Sequence, residues 1–558
     1  VTAVTRGAWA RPGTSLDFRT GNWRDERPIH VHRPAPCHAA CPAGEDVQAW
    51  IAHSQRGDTE AAWRELVSAN PLPAITGRVC PHPCEQQCNR GRYDEPVAIH
   101  SLERYLGDAA LSHDWALDMR APAGDGPRVA VVGAGPAGIS AAYHLRRGGA
   151  RPVILDAAVA AGGLLRAAIP MTRLPREVLD AELERTLAGM EVRFQQRLGR
   201  DFSLVELSSE FDAVFLGPGC QRPKEWSVDG ATPPGLRDGL ELLKLWVDHG
   251  EVPVADRVVV HGGGNTAMDI ARIVKRHGAR EVHLVTASGL PGSGTAPGDV
   301  INVVPRELAE GIEEGIEIHP HSTVQRLMLR GSRLVGVELA SLRKLPGEGG
   351  RSERVPFAGT ERVLEAEMVI PCVGERVDPA GLESMLGGAD YLDGRPEGSE
   401  AVYAGGDACG ASGTVAGAVG DGRRAAEAIL ARAAGRHPAP RDDVPPVSVD
   451  DLNLHYYQPA PRETVNKLPP AERTDDTEIE GGFGDAAFGR EAHRCFSCGN
   501  CLACDNCWNL CPDNAVIKTA ELAADGSHYL FDYEYCKGCG LCAHECPVGF
   551  IQMIPELD

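Results

Sequence analysis

Cys501-x2-Cys504-x2-Cys507-x3-Cys511-Pro, followed by Cys536-x2-Cys539-x2-Cys542-x3-Cys546-Pro, constrains this chain more than any other feature. Thiols at two- and three-residue offsets, twice in one short segment, converge on metal. Three closely spaced thiolates grip one face of an iron-sulfur cubane, and the fourth, turned away by its proline, reaches the other cluster. One [4Fe-4S] is therefore expected on Cys501, Cys504, Cys507 and Cys546, the other on Cys536, Cys539, Cys542 and Cys511. Zinc is the structural alternative, but it is satisfied by two CxxC pairs and has no need of this longer run.

The doubled run resembles the bacterial two-cluster ferredoxins. Of 18 cysteines, 15 fall in this zone and in a second one near the N-terminus, between Cys37 and Cys88. Such clustering in a chain without a secretory pattern argues for metal over disulfides. Val1 to Arg27 has no apolar stretch, and no run of eighteen apolar residues occurs, so a cytoplasmic protein with no membrane span is expected. Net charge of −22 opposes nucleic-acid binding and suits an electron carrier docking on a basic partner.

The 558 residues suggest several domains. Residues 1–35 read as an extended arm. Residues 46–70 read as two helices joined at Gly57, with Asp58 or Thr59 capping the second, and a further helix spans about 101–111. From Arg128 and again from Arg257, strands alternate with helices, as in parallel sheets. The expected architecture is multidomain α/β. It comprises a helical N-terminal iron-sulfur domain (1–120), a discontinuous FAD domain (121–235 and 365–440) and an inserted NAD(P) domain (236–364). A linker wrapping the surface (441–490) and a ferredoxin-like α+β domain (491–558) follow.

Two stretches carry dinucleotide fingerprints. In RVAVVGAGPAGISAAYHL a strand leads to Gly133, Gly135 and Gly138, with Pro136 and Ala137 opening the helix. The glycines permit a tight turn, close approach of a pyrophosphate, and helix–strand packing. The next strand ends at Asp156, placed for ribose hydroxyls. In RVVVHGGGNTAMDIARIV, Gly262, Gly264 and Ala267 fill the same positions, with Asn265 and Thr266 between them. The strand that follows ends at Thr286, Ala287 and Ser288, without an acid or an arginine. That absence favours NAD over NADP unless Arg272 or Arg276 reaches the site. A third stretch, VYAGGDACGASGTVAGAV, brings Gly406 and Asp407 to a strand end and Thr414 and Val415 to a helix start. In two-dinucleotide-fold flavoproteins that acid meets the FAD ribityl-pyrophosphate region and that helix approaches the ring; Gly163 completes the FAD set. No CxxC accompanies these segments, which argues against a disulfide reductase. Cys220, Cys372 and Cys409 are isolated and read as small buried side chains.

At the N-terminus, Cys80, Cys84 and Cys88 stand four residues apart, and Cys41-Pro42 can complete a set. PCHAACPAG, GRVCPHPCEQQC, GAGPAG, GGGNTAMD and AGGDA occur here in the order found in the glutamate synthase small-subunit family. That family is related to the N-terminal half of dihydropyrimidine dehydrogenase and to the large subunit of the bifurcating ferredoxin:NADP oxidoreductase. The resemblance covers about residues 35–430 and implies a [4Fe-4S] on Cys41, Cys80, Cys84 and Cys88. The family's earlier CxxC is absent; His30, His32 and Arg33 occupy that stretch. An orphan pair, Cys495 and Cys498, carries the family's EAxRCxxC wording near the other end. The resemblance thus implies a fourth site from Cys37, Glu103, Cys495 and Cys498, against the alternative of two spare thiols. The family's arginine pair after the second fold is missing too.

A nicotinamide delivers two electrons together and a cubane accepts one, so flavin is expected between them. The expectation is an electron-transfer subunit with FAD, NAD(H) or NADP(H), three [4Fe-4S] clusters and a possible fourth. The favoured partner is a 2-oxoacid:ferredoxin-type oxidoreductase, or ferredoxin itself. The alternatives are a glutamate synthase small subunit, an NAD(P)H-driven donor to a low-potential reductase, and a non-catalytic iron-sulfur scaffold.

Overall fold

The computed structural model describes residues 5–6, 19–119, 126–228, 230–346, 352–386, 388–392, 401–410, 413–437, 444–523 and 526–556. At its centre lies a five-stranded parallel sheet. The strand order is Val402–Ala404, Ala213–Leu216, Arg128–Val132, Arg151–Leu155, Glu191–Arg193. Its inner strands are near-continuous apolar runs because helices cover both faces. Helices Pro136–Arg147 and Val415–Ala433 pack against each other on this sheet. A Cβ on Gly422 would collide with the Ala137 carbonyl, so glycine sets that close approach.

The second parallel sheet runs Glu317–His319, Glu281–Val285, Arg257–His261, Met368–Pro371. Met368–Pro371 thus pairs with the second sheet, beyond the boundary expected at 364. The chain returns through Glu375–Arg376, which pairs antiparallel with Arg222–Pro223. An antiparallel layer, Ser322–Arg330, Arg333–Pro346, Ser352–Pro356 and Arg362–Glu365, covers one face of this sheet.

The N-terminal unit packs helices Val47–Gln55, Thr59–Val67, Pro73–Val79 and Ile99–Ser112 around Trp50, Trp63, Leu102 and Leu106. Asp46 and Asp58 cap the first two by accepting the Ala49 and Ala61 N–H groups. Two expectations fail here. The segment 444–490 is not a surface linker: Val447, Leu452, Phe483 and Phe488 are buried in this helical core. Its apolar residues are too sparse for a period, yet each fills a gap between helices. Nor is the start of the chain merely an arm. Glu26–His30 pairs antiparallel with Ile551–Pro555, and Thr5–Arg6 with Val516–Lys518, so both ends of the chain build one module. The boundary expected near 121–127 falls largely outside the described residues. No helix among them is long and apolar enough to cross a membrane.

Candidate redox site

A cleft of about 1140 Å³ opens where the two parallel sheets meet. Gly133, Gly135, Pro136, Ala137, Asp156, Gly163, Gly406, Asp407, Thr414 and Val415 all line it. Gly133 adopts φ 102°, and a Cβ there would strike the Gly217 carbonyl; the space beside Gly135 is open apart from Gly163. Gly138 lies behind the turn, against the Gly133 carbonyl. Asp156 is fixed by accepting the Ala134 N–H at 2.6 Å and the Ala158 N–H at 2.7 Å, which presents its carboxylate at the strand end. Thr414 Oγ1 caps the long helix through the Gly417 N–H, so that helix begins at the cleft. Burial, then Asp421, pushes the Asp407 carboxyl up. A bare glycine turn, a fixed acid and a helix start around one long cleft fit an FAD.

From the second fold, Asn265, Thr266 and Asp269 line the same cleft. Gly262 packs on the Cys372 carbonyl, Gly264 borders open space, and Ala267 is buried behind them. Arg173 joins the two folds by binding both oxygens of Asp269, at 2.8 and 3.0 Å. Arg272 and Arg276 are held elsewhere, on Glu314 and Asp475 among others, and do not serve the ribose. Sequence reasoning missed what surrounds the Thr286–Ser288 turn. His321, left-handed at φ 47°, donates its N–H to the Ser288 carbonyl at 3.0 Å and lays its ring against Gly289. The Gly289 N–H in turn meets the carbonyl of Asp299, whose carboxylate holds Lys344 at 2.7 Å and Arg354 at 2.9 Å. These cations come from strands some fifty residues away, which no local motif reveals.

The thiols form four groups. Cys501, Cys504, Cys507 and Cys546 line one cavity, and Cys511, Cys536, Cys539 and Cys542 another. These are the crossed sets expected from spacing. Near the N-terminus the grouping differs from expectation. Burial pushes the Cys37 thiol well above its ordinary range, and Cys495, Cys88 and Cys498 add to it. Cys495 and Cys498 each register Cys88 in the same way. Cys84, raised first by burial, registers Cys41 and Cys80 next. Cys88 therefore sits with Cys37, Cys495 and Cys498, while Glu103 sits beside Cys41 and Cys80. Cys88 follows the turn Pro83–Gln86, and the next residue, Asn89, donates to the Val447 carbonyl at 3.0 Å and to Cys498 Sγ at 3.5 Å. Buried thiols crowded in fours resist ionisation unless a metal compensates them, and this donor set suits iron-sulfur clusters.

Glu103 Oε2 lies 2.7 Å from His82 Nε2, and its other oxygen accepts from Thr76 and Asn70. Burial pushes the Glu103 carboxyl up to about 8. Two further residues were missed: Val79 and Pro81, flanking Cys80, form part of the wall of the flavin cleft. Cys220 is buried, with its thiol donating to the Asp407 carbonyl.

These features define an NAD(P)-dependent iron-sulfur flavoprotein oxidoreductase. Residues 127–422 match the pyridine nucleotide-disulphide oxidoreductase family, residues 26–115 the dihydropyrimidine dehydrogenase domain II with its 4Fe-4S cluster, and residues 529–552 the 4Fe-4S binding domain. The chain is 33% identical to the NADP(+)-dependent formate dehydrogenase subunit beta of Moorella thermoacetica, over 83% of this chain and 70% of that one. It is 31% identical to the NADPH-Fe(3+) oxidoreductase subunit beta of Geobacter sulfurreducens (85% and 77% covered). It is 32% identical to the glutamate synthase [NADPH] small chain of Escherichia coli (71% and 88% covered). The chain belongs to the glutamate synthase small-chain-like branch of the pyridine nucleotide-disulphide oxidoreductases, with a 4Fe-4S binding domain joined to it.

Proposed function

We propose that this chain is the electron-transfer subunit of a larger oxidoreductase, exchanging electrons between NADP(H) and a partner subunit through FAD and four [4Fe-4S] clusters. FAD bound in the cleft supplies the exchange between a hydride and single electrons. The observation that supports the reading is the cleft wall: Val79 and Pro81 line it, and Cys80 stands between them in the chain. From there the thiol groups run in series. Cys37, Cys84 and Cys498 share the helical core, with Cys41, Cys88, Cys495 and Tyr457 packed against it. Cys501, Cys507, Cys511, Cys542 and Cys546 share the core of the ferredoxin-like module. We assign one cluster to Cys41, Cys80, Cys84 and Glu103, and a second to Cys37, Cys88, Cys495 and Cys498. The two ferredoxin-like sets complete the series.

The chain's own residues do the positioning. The glycine turns and Asp156 hold the dinucleotides, and Arg173 with Asp269 keeps the nucleotide fold against the cleft. Preference for NADP(H) is read from three relatives whose names carry that nucleotide, and from the His321 ring beside the Thr286–Ser288 turn. This reverses the preference expected from sequence. The partner supplies or takes one-electron equivalents. A 2-oxoacid oxidoreductase does so, and so does a dehydrogenase of the kind named in the first relative. Anaerobic stopped-flow mixing with NADPH tests the reading. Flavin bleaching followed by reduced-cluster EPR signals is expected, while bleaching that leaves every cluster oxidised would break the proposed series.

A further inference from the structure

Three side chains outside the redox site converge at the edge of the second parallel sheet. Glu317 pairs in register with His283 on the neighbouring strand, and His319 follows two residues on, so all three point to one face. His283 Nδ1 lies 3.1 Å from His319 Nε2 and 3.4 Å from a Glu317 oxygen, and His319 Nε2 lies 3.6 Å from the other oxygen. A tetrahedral ion with nitrogen and oxygen ligands at about 2.0–2.1 Å holds such ligand atoms about 3.3–3.4 Å apart. The three separations bracket that value. Both rings are buried and Glu317 is exposed, which leaves an approach from solvent. Among the described residues, this is the group whose ligand atoms all lie within 4.8 Å of one another.

We propose that His283, His319 and Glu317 form a binding site for a divalent transition ion of the zinc class, with water completing the coordination. Two imidazoles and one carboxylate suit that class. The site is distinct from the cysteine groups and holds no step of electron transfer. An ion there would staple the last two strands of the sheet, two residues before His321 at the ribose turn.

One neighbour opposes the ion, and that opposition gives the test its edge. The Arg362 guanidinium donates to His319 Nδ1 at 3.0 Å. Without metal, the His319 proton therefore sits on Nε2 and points to His283. A ligating histidine instead keeps its proton on the far nitrogen and donates it outward. Binding thus moves the proton to Nδ1 and releases Arg362, an exposed side chain, to solvent.

The test uses full-length, fully iron-loaded protein stripped with EDTA, incubated with zinc chloride, gel-filtered, and assayed for zinc, iron and FAD. Wild type should retain about one zinc per chain. H319Q and H283Q should lower zinc affinity at least about tenfold with iron and FAD unchanged, as should E317Q, whose exposed site cannot compromise the core. R362Q should bind zinc several-fold more tightly, because His319 Nδ1 is then free to carry its proton. Zinc retention equal to wild type in E317Q and in the two histidine variants would place the ion on thiols and overturn the proposal. Weaker binding in R362Q would overturn it too.

Discussion

Glu491 tests whether the C-terminal segment is part of the N-terminal cluster unit or merely rests on it. Its side chain is fully buried. One oxygen accepts the Ala98 N–H at 2.7 Å and Arg494 Nη1 at 2.7 Å; the other accepts the Glu463 N–H at 2.9 Å. E491A leaves the buried Ala98 N–H and the part-buried Glu463 N–H without acceptors, costing about 1–3 kcal/mol for the first and less for the second. It also breaks a buried ion pair, which costs about 3–5 kcal/mol when one partner is removed. Arg494 keeps Asp94 and the carbonyls of Glu95, Pro96 and Ala460, so losing this pair costs well below that range, about 1 kcal/mol, and the total is about 3 kcal/mol. A local loss of about 3 kcal/mol raises the opening equilibrium by roughly 100-fold. Hydrogen exchange with mass spectrometry on the iron-loaded chain should show amides at 89–104 exchanging about that much faster, with E491Q intermediate. A rise below about threefold there, with acceleration confined to 491–500, would refute the view that residues 89–112 depend on this carboxylate.

Other outcomes follow from the same geometry. C88S, C37S and C495S should each abolish the same EPR signal and remove about four of about sixteen iron atoms, whereas C84S should abolish a different one. If C84S and C88S erase one common signal, the pairing of thiols given above is wrong. In stopped-flow flavin reduction, NADPH should exceed NADH in kcat/KM by at least about tenfold, about 1.4 kcal/mol. H321A should narrow that ratio, and an unchanged ratio would show that the ribose turn is read elsewhere. His144 is buried, its Nε2–H donating to the Ala69 carbonyl at 3.1 Å, and burial lowers its pKa to about 3. The unfolded chain then binds more protons below about pH 6.5, so this site's stability is full above that pH and is lost as pH falls towards 3. Between pH 6.5 and 5 the loss is about 2 kcal/mol. Urea midpoints of H144Q should fall less steeply over that interval than those of wild type, and parallel curves would assign the acid sensitivity to other groups.

What the sequence revealed follows the range of its signals. The glycine turns, Asp156 and the crossed ferredoxin sets are dictated by spacing within a few dozen residues, and spacing survives folding. The N-terminal sets were legible as an inventory but not as a partition. Cys84 and Cys88 are four residues apart, yet on the assignment proposed above they serve different clusters. The orphan pair Cys495 and Cys498 could be matched to Cys37 by wording alone, but its pairing with Cys88 needed the packing of Phe496 against Tyr93 and Tyr457. The role of 444–490 was hidden because Val447, Leu452 and Phe483 serve a core built by other segments. The Asp299 ion pairs were hidden for the same reason: Lys344 and Arg354 reach that carboxylate only through the antiparallel layer.

These placements change what removal of the ferredoxin-like end should do. From sequence, deleting 491–558 is expected to spare hydride transfer, since both nucleotide folds lie elsewhere, and to destabilise residues 1–120 if Cys495 and Cys498 complete an N-terminal cluster. In the structure, that cut removes Phe496 and Cys498 from the helical core, takes Cys495 and Cys498 from Cys37 and Cys88, and strips Glu26–His30 of its strand partner. The same helical unit carries Val79 and Pro81 into the flavin cleft, so the damage propagates to the FAD site. Cutting at 500 is gentler: Cys495 to Gly499 are retained, while the strand pairing, the two ferredoxin-like sets and peripheral bonds such as Gly499 N–H to the Val548 carbonyl are lost. The shorter deletion should retain FAD, about eight iron atoms and NADPH-driven dye reduction, losing only delivery to the partner. The longer one should lose iron at Cys37 and Cys88 and release flavin readily. If both truncations kept equal FAD and dye reduction, the C-terminal pair would be dispensable to the N-terminal unit, and the series from flavin to ferredoxin-like sets would have to bypass it.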